Sequence, residues 1–148
     1  MIHATKGTAM PSAPDLILIG VLLLALVTVE SGGYFLTRVV RGLAPANRLQ
    51  TNFFRAGHAH AAVLLVLSMV ILSVISYAAL DGFWLWLARL GAPIAAILMP
   101  AGFFLSVLGR EPEKPNRLIV LLWIGAASLT AGLIAAGVGL VAGGIAAL

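Results

Sequence analysis

Four long apolar runs, interrupted by short stretches rich in proline, glycine and charge, constrain this 148-residue chain more than any other feature. They cover about Leu16 to Val40, Phe54 to Leu80, Phe83 to Leu108 and Leu118 to Ala147. Each exceeds the ~20 residues that a helix needs to cross a bilayer. An outer-membrane strand would alternate polar and apolar positions over about ten residues, and these runs are continuously apolar. The sequence therefore predicts an all-α protein, an antiparallel bundle of four transmembrane helices occupying residues 15–148, with residues 1–14 as a short extracytoplasmic segment. Composition agrees: 61% of residues are hydrophobic and 9% charged, whereas a soluble domain is roughly 25% charged.

The breaks between runs give the turns. Pro14 and Asp15 suit the start of the first helix. Gly42 and Pro45 break the loop "RGLAPANRLQTN", Asp81-Gly82 forms a tight turn, and Pro112 and Pro115 interrupt "GREPEKPNR". Pro93 and Pro100 fall inside the third run, where neighbouring helices can satisfy a freed carbonyl; Pro100 is expected to kink that helix. The N-terminus "MIHATKGTAMPSAPD" does not read as a cleaved secretion signal, because no short apolar segment with a small-residue cleavage site follows.

Orientation follows from the basic residues. Loops one and three collect Arg38, Arg41, Arg48, Arg55, Arg110, Lys114 and Arg117, against Lys6 and Arg89 on the other side. The expectation is a multi-pass protein of the cell (inner) membrane with those loops in the cytoplasm and both termini outside. The same rule accounts for the net charge of +4, so no nucleic-acid partner is inferred. Trp84, Trp86 and Trp123 fall at depths where indole rings anchor. The absence of cysteine excludes disulfides, thiolate metal sites and thiol nucleophiles.

Functional candidates are the groups that resist lipid. An ionisable side chain inside a span is costly unless paired or hydrated, and so marks a candidate site. Three qualify: Glu30, His58 and His60. At about 1.5 Å per residue, Glu30 lies about 12 Å from the level of Arg38, Tyr34 about 6 Å, and the histidines about 4 to 8 Å past Arg55. The expectation is one buried cluster in the cytoplasmic half, with Tyr34, Arg38 and Arg55 supporting Glu30 and the imidazoles. Glu30, Tyr34 and Arg38 share a helix face, and Gly32-Gly33 leaves room for a close neighbour. His58 and His60, two apart, point about 200° from each other. They cannot chelate one ion from a regular helix; if His58 faces the first helix, His60 faces the third, the fourth or a partner. Ala131, Ala135, Gly139 and Gly143 form a small-residue stripe on the fourth helix, suited to internal packing or to a homodimer seam.

His58-Ala59-His60 resembles, in spacing alone, the H-x-H element of haem-copper oxidase catalytic subunits, where two imidazoles ligate different haems on either side of a helix. More broadly, "RAGHAHAAVLLVLS", "LMPAGFFLSVLG" and "PNRL" resemble a family of small bacterial four-helix membrane proteins; no activity comes with that likeness. Three readings follow. The first is a haem- or transition-metal-binding membrane subunit, with His58, His60 and Glu30 as ligand candidates and Met69, Met99 or a second subunit's histidine completing the set. The second is a structural or accessory subunit of a membrane complex, as a homodimer or within a larger assembly. The third is proton-coupled transport of a small solute. No Ser-His-Asp arrangement can be assembled, because Asp15 and Asp81 belong to the end opposite the histidines.

Overall fold

A computed structural model describes residues 10–148; His3, Lys6 and most of the expected N-terminal segment lie outside the described residues. The chain forms four helices, α1 (Ala13–Val40), α2 (Arg48–Val74), α3 (Gly82–Ser106) and α4 (Val120–Ile145), with no strand among the described residues. Single 3-10 turns, Ile75–Tyr77 and Arg117–Ile119, tighten the end of α2 and the entry to α4. All four helices are long and apolar enough to cross a membrane. Chain neighbours pack on one another, α1 on α2, α2 on α3 and α3 on α4. One core, built on Leu22, Leu64, Leu65, Leu72, Ala95, Ala96 and Met99, draws from α1, α2 and α3, and Ala126 and Leu129 of α4 pack against it.

α2 begins at Arg48, six residues ahead of the apolar run that marked its start in the sequence. The cause is a capping box. Gln50 N–H donates to Asn47 Oδ1 at 2.9 Å, and Asn47 N–H donates to Gln50 Oε1 at 3.0 Å. Two orphan donors of the first turn are thereby satisfied, and polar residues can be helical before the apolar period starts. Gln50 also ties the bundle end together: its Nε2 donates to Val107 O and Gly109 O, both at 3.1 Å, and Asn47 Nδ2 donates to Pro112 O at 2.9 Å. A consequence is that His58 and His60 do not open α2. They stand ten and twelve residues beyond its first residue.

α3 and α4 meet backbone to backbone. A Cβ built on Gly91 would lie 2.6 Å from Gly132 Cα, and one on Gly132 would lie 2.8 Å from Gly91 Cα. Ser128 Oγ adds a hydrogen bond to Gly91 O at 3.1 Å. Between helices in lipid, association rests on dispersion and close approach rather than on expelling water. The stripe singled out in the sequence is used here by the chain itself. Ala135 and Gly139 are buried, a Cβ on Gly139 would run into the Leu80 side chain, and one on Gly143 would meet the Tyr77 carbonyl. Ala79 N–H donates to Gly139 O at 2.9 Å. Ala131 is half-buried on the flank of this contact. The helix α3 runs on through Pro93 and Pro100, both buried.

α1 is different. Only 6% of its most apolar stretch is buried, against 50% for α3. It touches the bundle through Leu22, Val39 and partly buried Leu18, Ala25, Val29 and Leu36, and leaves Val21, Leu24, Val27 and Tyr34 exposed.

Candidate functional site

The two histidines face opposite neighbours, as their spacing requires. His58 is half-buried against the Gly32-Gly33 step of α1. A Cβ on Gly32 would stand 3.7 Å from its Nδ1, and one on Gly33 would stand 3.4 Å from Cε1 and 3.5 Å from Nε2. The ring therefore lies at ordinary van der Waals distance from the glycine step. His60 points towards α3, where its ring lies 4.9 Å from that of Phe103 at 41°. Its Nδ1 is 2.8 Å from Ala56 O. A carbonyl only accepts, so Nδ1 is the donor in this contact. Aromatic contacts continue below the pair: Phe35–Phe54, Phe54–Phe104 and Phe53–Phe103 centroids are 5.8, 5.8 and 5.7 Å apart.

The expected buried cluster does not form. Glu30, Tyr34 and Arg38 do share a face, but all three are exposed, with Tyr34 at 71%. The reason is helical phase. Leu22, Val29, Leu36 and Val39, together with the two glycines, make the side of α1 that meets α2, and a residue at Glu30 falls outside that arc. Arg55 is likewise exposed. Among the described residues no ion pair joins Glu30 to Arg38, Arg55 or a histidine. The depth estimate grouped residues by level along the membrane normal, and level alone does not fix which way they face.

No three of the described His, Asp and Glu side chains converge as a metal cage. Met99 is a core residue packed with Leu72 and Ala95, and Met69 packs against the same core. With both methionines packed at the core, the remaining ligand candidates are the His58 and His60 rings, on different sides of α2, and the exposed Glu30 carboxylate.

The best-made polar site lies elsewhere, at the end of the bundle that holds Met10 and Leu148, and the sequence reading missed it. Asp15 is fully buried, and its Oδ1 is 2.8 Å from Arg89 Nε. That approach is close but poorly aligned for a hydrogen bond. The directed bond is from Arg89 Nη2 to Oδ2 at 3.0 Å. Ser12, the N-cap of α1, donates its hydroxyl to Oδ2 and accepts from Nη2 at 3.2 Å. The guanidinium also lies 5.8 Å from the Trp86 ring centroid. This clasp bolts the start of α1 to α3. The signal was available: Asp15 and Arg89 are opposite charges at the same end of antiparallel spans, and an ion leaving water needs a partner.

The buried serines satisfy themselves locally. Ser68 Oγ donates to Leu64 O at 2.7 Å and Ser106 Oγ to Phe103 O at 3.3 Å. Among the described residues no file of titratable groups runs through the interior from end to end. No protein-family model, no curated protein and no solved structure matches the chain.

Proposed function

We propose that this protein is a non-catalytic subunit of a membrane complex, and that α1 is the helix by which it binds its partner. The carrying observation is Glu30. It sits near the middle of an exposed apolar helix, with no partner among the described residues. A carboxyl group facing acyl chains costs several kcal/mol in the ionised form. A second membrane-embedded helix that offers a cation or hydrogen-bond donor opposite Glu30 removes that cost. Tyr34 and Arg38, on the same face, extend the polar strip towards the basic end. The protein lies in the cell membrane with the basic loops in the cytoplasm and both termini outside, which puts Arg38 at the inner surface.

The test uses the full-length chain, extracted from its native membrane in mild detergent and sized by native electrophoresis. The wild type runs in a complex larger than the chain, and Glu30→Leu runs free while Glu113→Gln does not. A wild type that runs alone removes the proposal. Co-purification of two differently tagged copies would identify the partner as a second copy of this chain.

One observation favours a second reading, a haem or transition-metal ligand in the same complex. Metal-binding imidazoles characteristically donate their other ring N–H to a carbonyl, and the Nδ1–Ala56 bond gives His60 that arrangement. The missing ligands would come from the partner. A Soret band, or stoichiometric metal, that is lost in His60→Ala and kept in His58→Ala supports this reading. A colourless, metal-free complex removes it and leaves the accessory role intact.

A further inference from the structure

At the basic end of the bundle, residues 45–47 and 109–111, with Gln50, line an open cavity of about 540 Å³. Its lining includes Asn47, Gln50, Gly109, Arg110 and Glu111. The first two form a fixed floor, because the capping box and the bonds to Val107, Gly109 and Pro112 occupy their amides. The loop wall has different chemistry. The N–H groups of Gly109, Arg110 and Glu111 donate to no acceptor among the described residues. Left-handed backbone flanks Arg110 on both sides, with φ of 130° at Gly109 and 53° at Glu111. Turn backbone of this kind can present successive amides to an anion. A non-glycine residue held at positive φ is uncommon and tends to mark functional positions.

We propose that this cavity binds a phosphate-class anion, with the Arg110 guanidinium and the 109–111 amides as donors. The surroundings favour an anion, because seven basic side chains and two carboxylates lie at this end. α2 starts and α3 ends beside the cavity, so with these helices spanning a bilayer it would lie near the lipid phosphates. Basic pockets between spans on the cytoplasmic side are places where anionic headgroups settle. The phosphodiester of an anionic lipid and a soluble phosphate share the chemistry that these donors recognise. The Glu111 carboxylate opposes the ligand; it is exposed, where water weakens the repulsion.

The test uses the full-length protein in two arms. The first measures retention of phosphatidylglycerol against phosphatidylcholine by native mass spectrometry. The second measures inorganic phosphate binding by phosphorus NMR in phosphatidylcholine nanodiscs. In the arm where the ligand binds, Arg110→Gln weakens affinity about fivefold, the weight of one basic side chain near a surface. Gly109→Ala, which strains the loop without changing charge, also lowers it, and Glu111→Gln raises it. Arg117→Gln, an equal charge change outside the cavity, lowers it less than Arg110→Gln does. Retained phosphatidylglycerol alone identifies a lipid headgroup; bound phosphate identifies a soluble anion. Binding in neither arm, or equal losses from Arg110→Gln and Arg117→Gln, overturns the proposal. None of the substituted side chains is buried, so these variants fold, and an unfolding profile matching the wild type verifies it.

Discussion

α1 and the α3–α4 pair are both apolar helical segments of membrane-spanning length, yet they are held in opposite ways. α4 lies on α3 with glycine against glycine, close enough that one added carbon atom at Gly91 or Gly132 overlaps the opposite backbone. α1 is mostly exposed and is fixed at its start by one buried ion pair, Asp15 with Arg89. Its two carboxylates repeat the contrast on a smaller scale. Asp15 is fully buried and paired; Glu30, four turns along, is exposed and has no partner among the described residues. A small-residue seam is completed within the chain. The open strip of Glu, Tyr and Arg on α1 is exposed, and under the proposed function a neighbouring helix covers it.

The comparison can be attacked first at the clasp. Breaking a buried pair by removing one charge typically costs 3–5 kcal/mol because the other charge is left buried. Asp15→Asn should therefore lower stability by about 3 kcal/mol, read as a drop in thermal unfolding temperature in detergent. Arg89→Gln should cost a similar amount, and the double variant less than the sum of the two. Additive losses would mean that the two residues act separately.

The seam comes next. Gly132→Leu forces a side chain into the α3 backbone and should cost about 1–3 kcal/mol, whereas Gly137→Leu, where nothing lies within 4 Å of an added Cβ, should change little. Equal effects at the two positions would show that α3 and α4 are not in close contact. A smaller effect is expected at His60. His60→Ala loses the bond to Ala56 and the Phe103 contact, together about 1 kcal/mol. The smallest belongs to Glu30→Gln: within about 0.5 kcal/mol for the isolated chain, as for an exposed substitution, while the assembled complex is weakened. A large loss in the isolated chain would place Glu30 inside the fold.

The number of helices and their order were legible because span length is dictated by bilayer thickness. The opposed directions of His58 and His60 were legible too, since a two-residue step on a helix leaves no other choice. The fate of Glu30 was not. Depth follows from counting residues, but rotation about the helix axis depends on which stripe packs, and in an almost uniformly apolar α1 no stripe stands out. The same uniformity obscured the α3–α4 seam: its close approaches use Leu122, Gly125 and Gly132 of α4, which the four-residue spacing starting at Ala131 passes over. The start of α2 was obscured because it is polar, and the Asn47–Gln50 box, rather than hydropathy, initiates it.

The most direct measurement exploits a chain without native cysteine. Val27 on α1 and Val138 on α4 are similarly exposed, at 59% and 64%, and Val27 lies one turn from Glu30 on the same face. Single cysteines at these positions, in full-length protein in its native membrane, should differ: Val27→Cys cross-links to another membrane polypeptide and resists a lipid-soluble maleimide, and Val138→Cys reacts freely. If both react alike and neither cross-links, α1 faces lipid and the assembly role assigned to it is wrong.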